Sequence, residues 1–334
     1  MRFCNNWRSS SPRKYLSRAI VLEVYRGMMS VHSRRSPMPT RALRAVLCAV
    51  AGASLAAPLV AAERLDARFG VAAFGAVDPL KDVKTVAACG YDYIEPALSK
   101  AVALSPDALA AARRDLQASG IGVETMNWFL PGADIKLTGP AVDREQIRAY
   151  LEKSLALAES LGAKVIVFGS PGARTVPDGF SRDKAWAQLA DFLRRASEVI
   201  KARGYGMVIG IEALRKPETN IVNSVAEALR LAREVNDPRV LLNVDFYHLA
   251  FENEDPDVVL QAGPLIAHVQ ISDPVQRGFP RDDAAEPRYR RFFDNLRKVG
   301  YRGRISVEAE SKDLAGDCGP ALQFLKRMTA PPKD

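Results

Sequence analysis

The chain has 334 residues, 48% hydrophobic and 26% charged, enough for one large domain or two small ones. Its formal charge of +8 is unevenly spread: residues 1–62 hold ten Lys and Arg and one acid, Glu23, leaving 37 basic and 38 acidic residues from Glu63 onward, a net of −1. A near-neutral body has no electrostatic hold on nucleic acid or an anionic membrane, so those partner classes are excluded.

Residues 1–37 are basic, irregular and Ser-rich, and read as a disordered leader or as the product of a start placed too early, with Met28 or Met38 the first residue instead. Ser33-Arg34-Arg35 hints at a twin-arginine signal, but the Ser-Pro-Met-Pro that follows fits that pattern poorly. Residues 38–62 read as an export signal: Arg41 and Arg44 give a positive start, 45–61 is almost wholly apolar or small, and Val60-Ala61-Ala62 offers a cleavage site. The run is short and Ala-rich for a membrane anchor, so cleavage is expected and no stable anchor remains. The expected location is periplasmic or secreted, with the cytoplasm as the alternative.

From Arg68 onward apolar runs alternate with amphipathic stretches. The expected strands are Phe69–Phe74, Tyr93–Glu95, Gly122–Asn127, Lys164–Phe168, Met207–Glu212, Val240–Asp245, Ala267–Ser272 and Arg304–Glu308. The expected helices are Pro79–Ala88, Pro106–Ser119, Asp143–Leu161, Arg182–Arg203, Ser224–Glu234, Asp257–Gln261, Pro287–Val299 and Pro320–Met328. Gly90, Gly120, Gly162, Gly204 and Gly300 punctuate helix ends. Strict alternation argues a parallel sheet, and eight units in roughly 265 residues fit an α/β fold of the closed (β/α)₈ TIM barrel type, one domain over 63–330. An open doubly wound sheet would want a Gly-rich phosphate loop after the first strand, and Gly70 to Pro79 has none. Cys89 and Cys318 fall at opposite ends of neighbouring helices on this scheme, so no disulfide is expected between them.

In such a barrel the reactive groups stand where strands end. Strand side chains alternate, so Leu241, Asn243 and Asp245 share a face, as do His268, Gln270 and Ser272, and Ser306, Glu308 and Glu310. Glu212, Asp245, His268 and Glu308 thus end neighbouring strands, and a buried acid is costly unless it is paired or binds metal. Carboxylates with one imidazole suit a divalent cation such as Mn²⁺, Mg²⁺, Co²⁺ or Zn²⁺. Apart from His32 the chain has only two His, His248 and His268, and both sit at strand ends. Spacing leaves Glu308 and Glu310 as alternatives. Glu95, Asn127 and Trp128 end the second and third strands as candidate substrate contacts, although a strand-end acid such as Glu95 more often holds a loop. Trp128 and Phe246 could wall a pocket, and Arg277 and Arg281, in the loop after strand seven, could clamp a polyhydroxyl or anionic substrate.

Read in order, Gly90-Tyr91-Asp92-Tyr93-Ile94-Glu95, Ile211-Glu212, Asn243-Val244-Asp245 with His248, Ala267-His268-Val269-Gln270, and Tyr301-Arg302-Gly303 leading to Val307-Glu308 resemble the xylose-isomerase-like barrels, the sugar phosphate isomerase/epimerase family. The resemblance implies a metal held by Glu212, Asp245, His268 and Glu308, which prefers Glu308 to Glu310. It places His248 beside the substrate's oxygens and an Arg near Arg277, whose spacing does not match closely. The implied function is a metal-dependent sugar isomerase or epimerase working by proton transfer next to a carbonyl, with the enediolate stabilised by the cation and with Glu212, Glu308 and His248 as acids and bases. Elimination by a keto-sugar lyase or dehydratase shares this first step. A family branch that cuts DNA at abasic sites needs more His than this chain has, and a non-catalytic periplasmic sugar-binding barrel is the remaining alternative. The expected partner is a small carbohydrate.

Overall fold

The computed structural model describes residues 64–331, Ala285 excepted. The leader and export signal expected over 1–62 lie outside the described residues. No helix among the described residues is long and apolar enough to cross a membrane.

The strands are β1 (Arg68–Ala72), β2 (Tyr93–Glu95), β3 (Gly122–Val123), β4 (Thr125–Met126), β5 (Val165–Phe168), β6 (Val208–Glu212), β7 (Val240–Asp245), β8 (Ile266–Ile271) and β9 (Arg304–Val307). They form one parallel sheet in the order β3-β2-β1-β9-β8-β7-β6-β5-β4. The end strands β3 and β4 are halves of one stave, interrupted at Glu124, whose carbonyl accepts from Lys164 N at 2.7 Å. The first half pairs with β2 and the second with β5, so the ring closes as the expected (β/α)₈ barrel.

The helices are α1 (Val83–Ala88), α2 (Leu98–Val102), α3 (Pro106–Ser119), α4 (Arg144–Leu161), α5 (Pro171–Arg174), α6 (Arg182–Arg203), α7 (Val225–Val235), α8 (Phe246–Phe251), α9 (Val258–Ala262), α10 (Arg288–Lys298) and α11 (Leu314–Thr329). α3 starts where Ser105 accepts from Ala108 N and Pro106 takes the first turn, and it ends on left-handed Gly120. Three short helices, α2, α5 and α8, were not expected, since each is too brief to show a period in the sequence. α11 begins well before Pro320, because the Asp313 side chain caps it by accepting from Gly316 N.

The interior of the barrel is filled by side chains. Gly70 leaves the space that the Tyr93 ring takes: a Cβ at residue 70 would lie 2.3 Å from that ring. The Tyr93 hydroxyl bonds Ser306 Oγ at 2.9 Å.

Cys89 and Cys318 are joined, with Cα atoms 6.1 Å apart, against the expectation that they would not meet. β1 pairs with β9, so α1 and α11 are neighbours around the ring. α1 is only 6 residues long, and the early start of α11 puts Cys318 in its second turn. At 1.5 Å per residue both cysteines then lie a turn or two below the helix starts, at similar heights.

Candidate active site

Glu212 ends β6, Asp245 ends β7, and Glu308 follows β9; one oxygen from each, with a nitrogen of His248, lies within 4.8 Å of the others. All four residues are buried. Asp245 caps α8: its Oδ1 accepts from Tyr247 N at 2.8 Å, which leaves Oδ2 facing the cluster. One turn into α8, His248 faces the same point.

Glu308 is gripped on both oxygens. Asn127 Nδ2 donates to Oε1 at 2.7 Å, Gln270 Nε2 donates to it at 3.2 Å, and Arg277 donates to Oε2 at 2.7 Å. Glu212 Oε1 and Asp245 Oδ2 have no hydrogen-bond partner. Gly169 makes room for Glu212: a Cβ there would stand 2.1 Å from Oε2. Burial, then the neighbouring Glu308 and Asp245, push Glu212 well above the usual carboxylate range. Burial and then Glu308 push Asp245 up to about 8. Glu308 is raised by burial, with Arg277 opposing. Three crowded carboxylates, two of them with an unpartnered buried oxygen, fit a divalent cation, which together with Arg277 would balance their charge and give those oxygens a partner.

His248 has a different part. Its Nδ1 accepts from Arg215 N at 3.2 Å. Burial, and then the Arg277, Arg174 and Arg215 charges, hold the imidazole well below its usual pKa of 6.5. A neutral ring that accepts at Nδ1 carries its proton at Nε2. That nitrogen, 3.5 Å from Asp245 Oδ2 and 3.9 Å from Glu212 Oε1, is therefore a donor facing the cluster rather than a lone pair for a metal.

His268, expected among the ligands, stands elsewhere. Its Nε2 lies 2.7 Å from Glu95 Oε2, and both side chains are fully buried. The β7–β8 register shifts at Leu242/Asn243, so Asn243 is level with His268 and Asp245 with Gln270. His268 is the third residue of β8 and so stands two residues below Gln270, whose carboxamide takes the height of Asp245. Glu95, expected to touch substrate, is likewise enclosed: Thr125 and His268 bond Oε2, and Gln270 Nε2 donates to Oε1 at 2.8 Å. It supports Gln270, is fully buried, and is not among the walls of the cavity onto which the acids open.

The cluster opens into a cavity of about 270 Å³ whose walls include Phe74, Asn127, Trp128, Ser170, Glu218 and Arg277. Trp128 is 46% exposed and held at φ 46°. Arg277 lies between the rings of Phe74 and Tyr247 and links Glu308 to Glu218, whose Oε1 it reaches at 3.1 Å. Arg215 holds the same Oε1 at 2.7 Å. Arg281 pairs instead with Asp317 at the surface, Glu310 is exposed beyond the site, and Phe246 stacks on Tyr289 in the core. Sequence reasoning passed over Glu218 and Arg215. Their only signal is an acid and a base shortly after a strand-end Glu, in the loop Ala213–Asn223.

The fold and this mouth define a (β/α)₈ barrel with an acid-lined active site. The chain belongs to the family described as xylose isomerase-like TIM barrel, whose model matches residues 83–328. It is 30% identical over 246 residues to L-ribulose 3-epimerase of Methylomonas sp. (strain DH-1), covering 70% of this chain and 79% of that protein. It is 27% identical over 200 residues to 2-oxo-tetronate isomerase of Haemophilus influenzae, covering 56% and 73%. In fold it is similar to D-psicose 3-epimerase with D-tagatose from Clostridium cellulolyticum H10, at a TM-score of 0.69 and 18% identity over 79% of this chain and 99% of that one. With these relatives, the chain is an enzyme of the isomerase and epimerase kind.

Proposed function

We propose that the protein is a divalent-cation-dependent sugar isomerase or epimerase that moves a proton on a carbon next to a ketose carbonyl. The observation that carries this reading is the trio Glu212, Asp245 and Glu308, buried together around one point, with an unpartnered oxygen on each of Glu212 and Asp245. The resemblance to ketose 3-epimerases and to 2-oxo-tetronate isomerase supports it. The three carboxylates would hold the cation. An all-oxygen set favours a hard ion, Mn²⁺ or Mg²⁺, over Zn²⁺. When bound, the cation supplies positive charge where negative charge develops on the substrate's oxygens.

The chain's own groups do the rest. Glu212 and Glu308 are candidate proton carriers, since burial raises both above the ordinary carboxylate range. The His248 Nε2–H would donate to a substrate oxygen as the adjacent carbon loses its proton. Arg277 and Asn127 keep Glu308 from rotating, and Glu218, held by Arg215 and Arg277, would take a hydroxyl further along the sugar. Arg215 and Arg277 are both engaged by carboxylates, which suits a neutral sugar better than a phosphorylated one.

Incubation with Mn²⁺ and a panel of ketoses and 2-oxo-tetronate in D₂O tests this. Deuterium incorporated next to the carbonyl, lost in Glu308→Gln and on chelation, is expected. An absence of exchange with every compound would reject the reading in favour of a sugar-binding barrel.

A further inference from the structure

Arg174 is fully buried, yet no carboxylate receives a hydrogen bond from it. Its guanidinium donates to three main-chain carbonyls: Phe168 O at 3.2 Å, Glu212 O at 2.8 Å and Val222 O at 3.3 Å, and its Nε has no partner. A guanidinium taken out of water without a paired acid is unfavourable for the fold, so something else must favour its retention. The three carbonyls show what it joins. Phe168 ends β5, Glu212 ends β6, and Val222 closes the loop Ala213–Asn223 that carries Arg215 and Glu218 into the cavity.

Val222 is itself unusual. It is buried, β-branched and held at φ 58°, a backbone conformation that such a residue adopts only when its surroundings impose it. Its carbonyl accepts from Leu214 N at 3.1 Å as well as from Arg174, so one oxygen fastens both ends of the loop. Asn223 Nδ2 completes the closure by donating to Leu214 O and Thr219 O, both at 2.8 Å. Arg174 in turn is fixed from behind: its carbonyl accepts from Thr138 Oγ1 at 3.2 Å, and its N–H donates to Ser170 O at 3.3 Å.

We infer that Arg174 is a positioning residue that pins the main chain of Glu212 and the closed Ala213–Asn223 loop to one another, so that Glu212 and Glu218 keep a fixed separation across the cavity. The fork geometry matters: Nη1 reaches Phe168 O and Glu212 O while Nη2 reaches Val222 O, whereas an ammonium offers all its donors from one nitrogen. The part that concerns Glu212 and a cation rests on the function proposed above; the part that concerns the loop does not.

The test compares wild type with Arg174→Lys, which keeps the charge and loses the fork, and Arg174→Met, which loses both. Two readouts are taken: Mn²⁺ affinity by calorimetry, and amide hydrogen exchange followed peptide by peptide. Both variants are expected to lose about 10- to 100-fold in Mn²⁺ affinity, as for a partner one step behind a ligand. Exchange should quicken over 213–223 while β1 and β9 on the far side of the ring stay as protected as in wild type. A Lys variant equal to wild type in both readouts overturns the three-way pin. Faster exchange spread over the whole barrel, or failure of both variants to fold, makes Arg174 a general element of the core and also overturns it. If wild type itself binds no Mn²⁺, the proposed function fails, and the exchange comparison alone decides for or against the pin.

Discussion

His248 keeps its proton on Nε2 because a main-chain N–H already occupies Nδ1. That choice of tautomer separates it from the three carboxylates that surround the same point. His248→Asn should lower kcat by about 10²-fold, the usual worth of a positioned proton donor, while leaving Mn²⁺ binding within a few-fold of wild type. Loss of the cation in this variant would make His248 a ligand instead. Single residues differ in how far the sequence announces them. Glu212 and Asp245 were legible because a strand alternates strictly, so an acid at its end has a known face, whereas alternation left Glu308 and Glu310 as alternatives and the family resemblance chose between them. His268 was misplaced because it stands near the start of β8, two residues below Gln270, which is the residue level with Asp245. Glu218 and Arg174 stand in loops, whose paths have no period to read.

At the scale of elements, strand ends and helix starts are fused. Asp245 both closes β7 and caps α8, so the chain passes from strand to helix without a loop and His248 is carried into the site. This economy hid α8 in the sequence, where Phe246–Phe251 is too short to show a helical period. Longer elements were legible with their bounds: Pro106–Ser119 and Arg182–Arg203 match the expected helices, since each has a capping Ser and a terminal Gly. Beneath the acids, β2 and β8 are tied by the Glu95–His268 pair. His268→Ala should cost about 3–5 kcal/mol in denaturant unfolding, because it leaves Glu95 buried beside an empty site, and it should still bind one Mn²⁺ per chain. A stable His268→Ala that binds no cation would return His268 to the ligand set.

Over the whole molecule, the Cys89–Cys318 link joins the first helix of the ring to the last. Constraining an unfolded loop with 229 residues of separation should contribute about 2–4 kcal/mol. In denaturant, Cys89 and Cys318 should resist alkylation until a reductant is added, and reduction should lower Tm; alkylation of Cys89 and Cys318 without reductant would contradict the pairing. Such a bond suits an oxidising compartment, and on that ground we propose that the protein is exported, in line with the signal expected over residues 38–62. The acid cluster has its own global signature. Glu212, Asp245 and Glu308 have folded-state pKa values raised above those of the unfolded chain, so the folded state retains protons that the unfolded state has released. In chelator-treated protein their contribution is therefore fully present below about pH 4 and is lost as pH rises through the folded values, Asp245's near 8. Thermal melts of that protein should show Tm falling from pH 5 to 9 more steeply than melts with saturating Mn²⁺, and equal slopes would contradict the crowding of the three acids. The most direct test is calorimetric titration of chelator-treated wild type, Glu212→Gln and Glu308→Gln with Mn²⁺. One ion bound per wild-type chain, with affinity lost in both variants while each keeps its fold, is the predicted result; wild type that binds no ion, or variants that bind as tightly as wild type, would contradict a cation held between these strand ends.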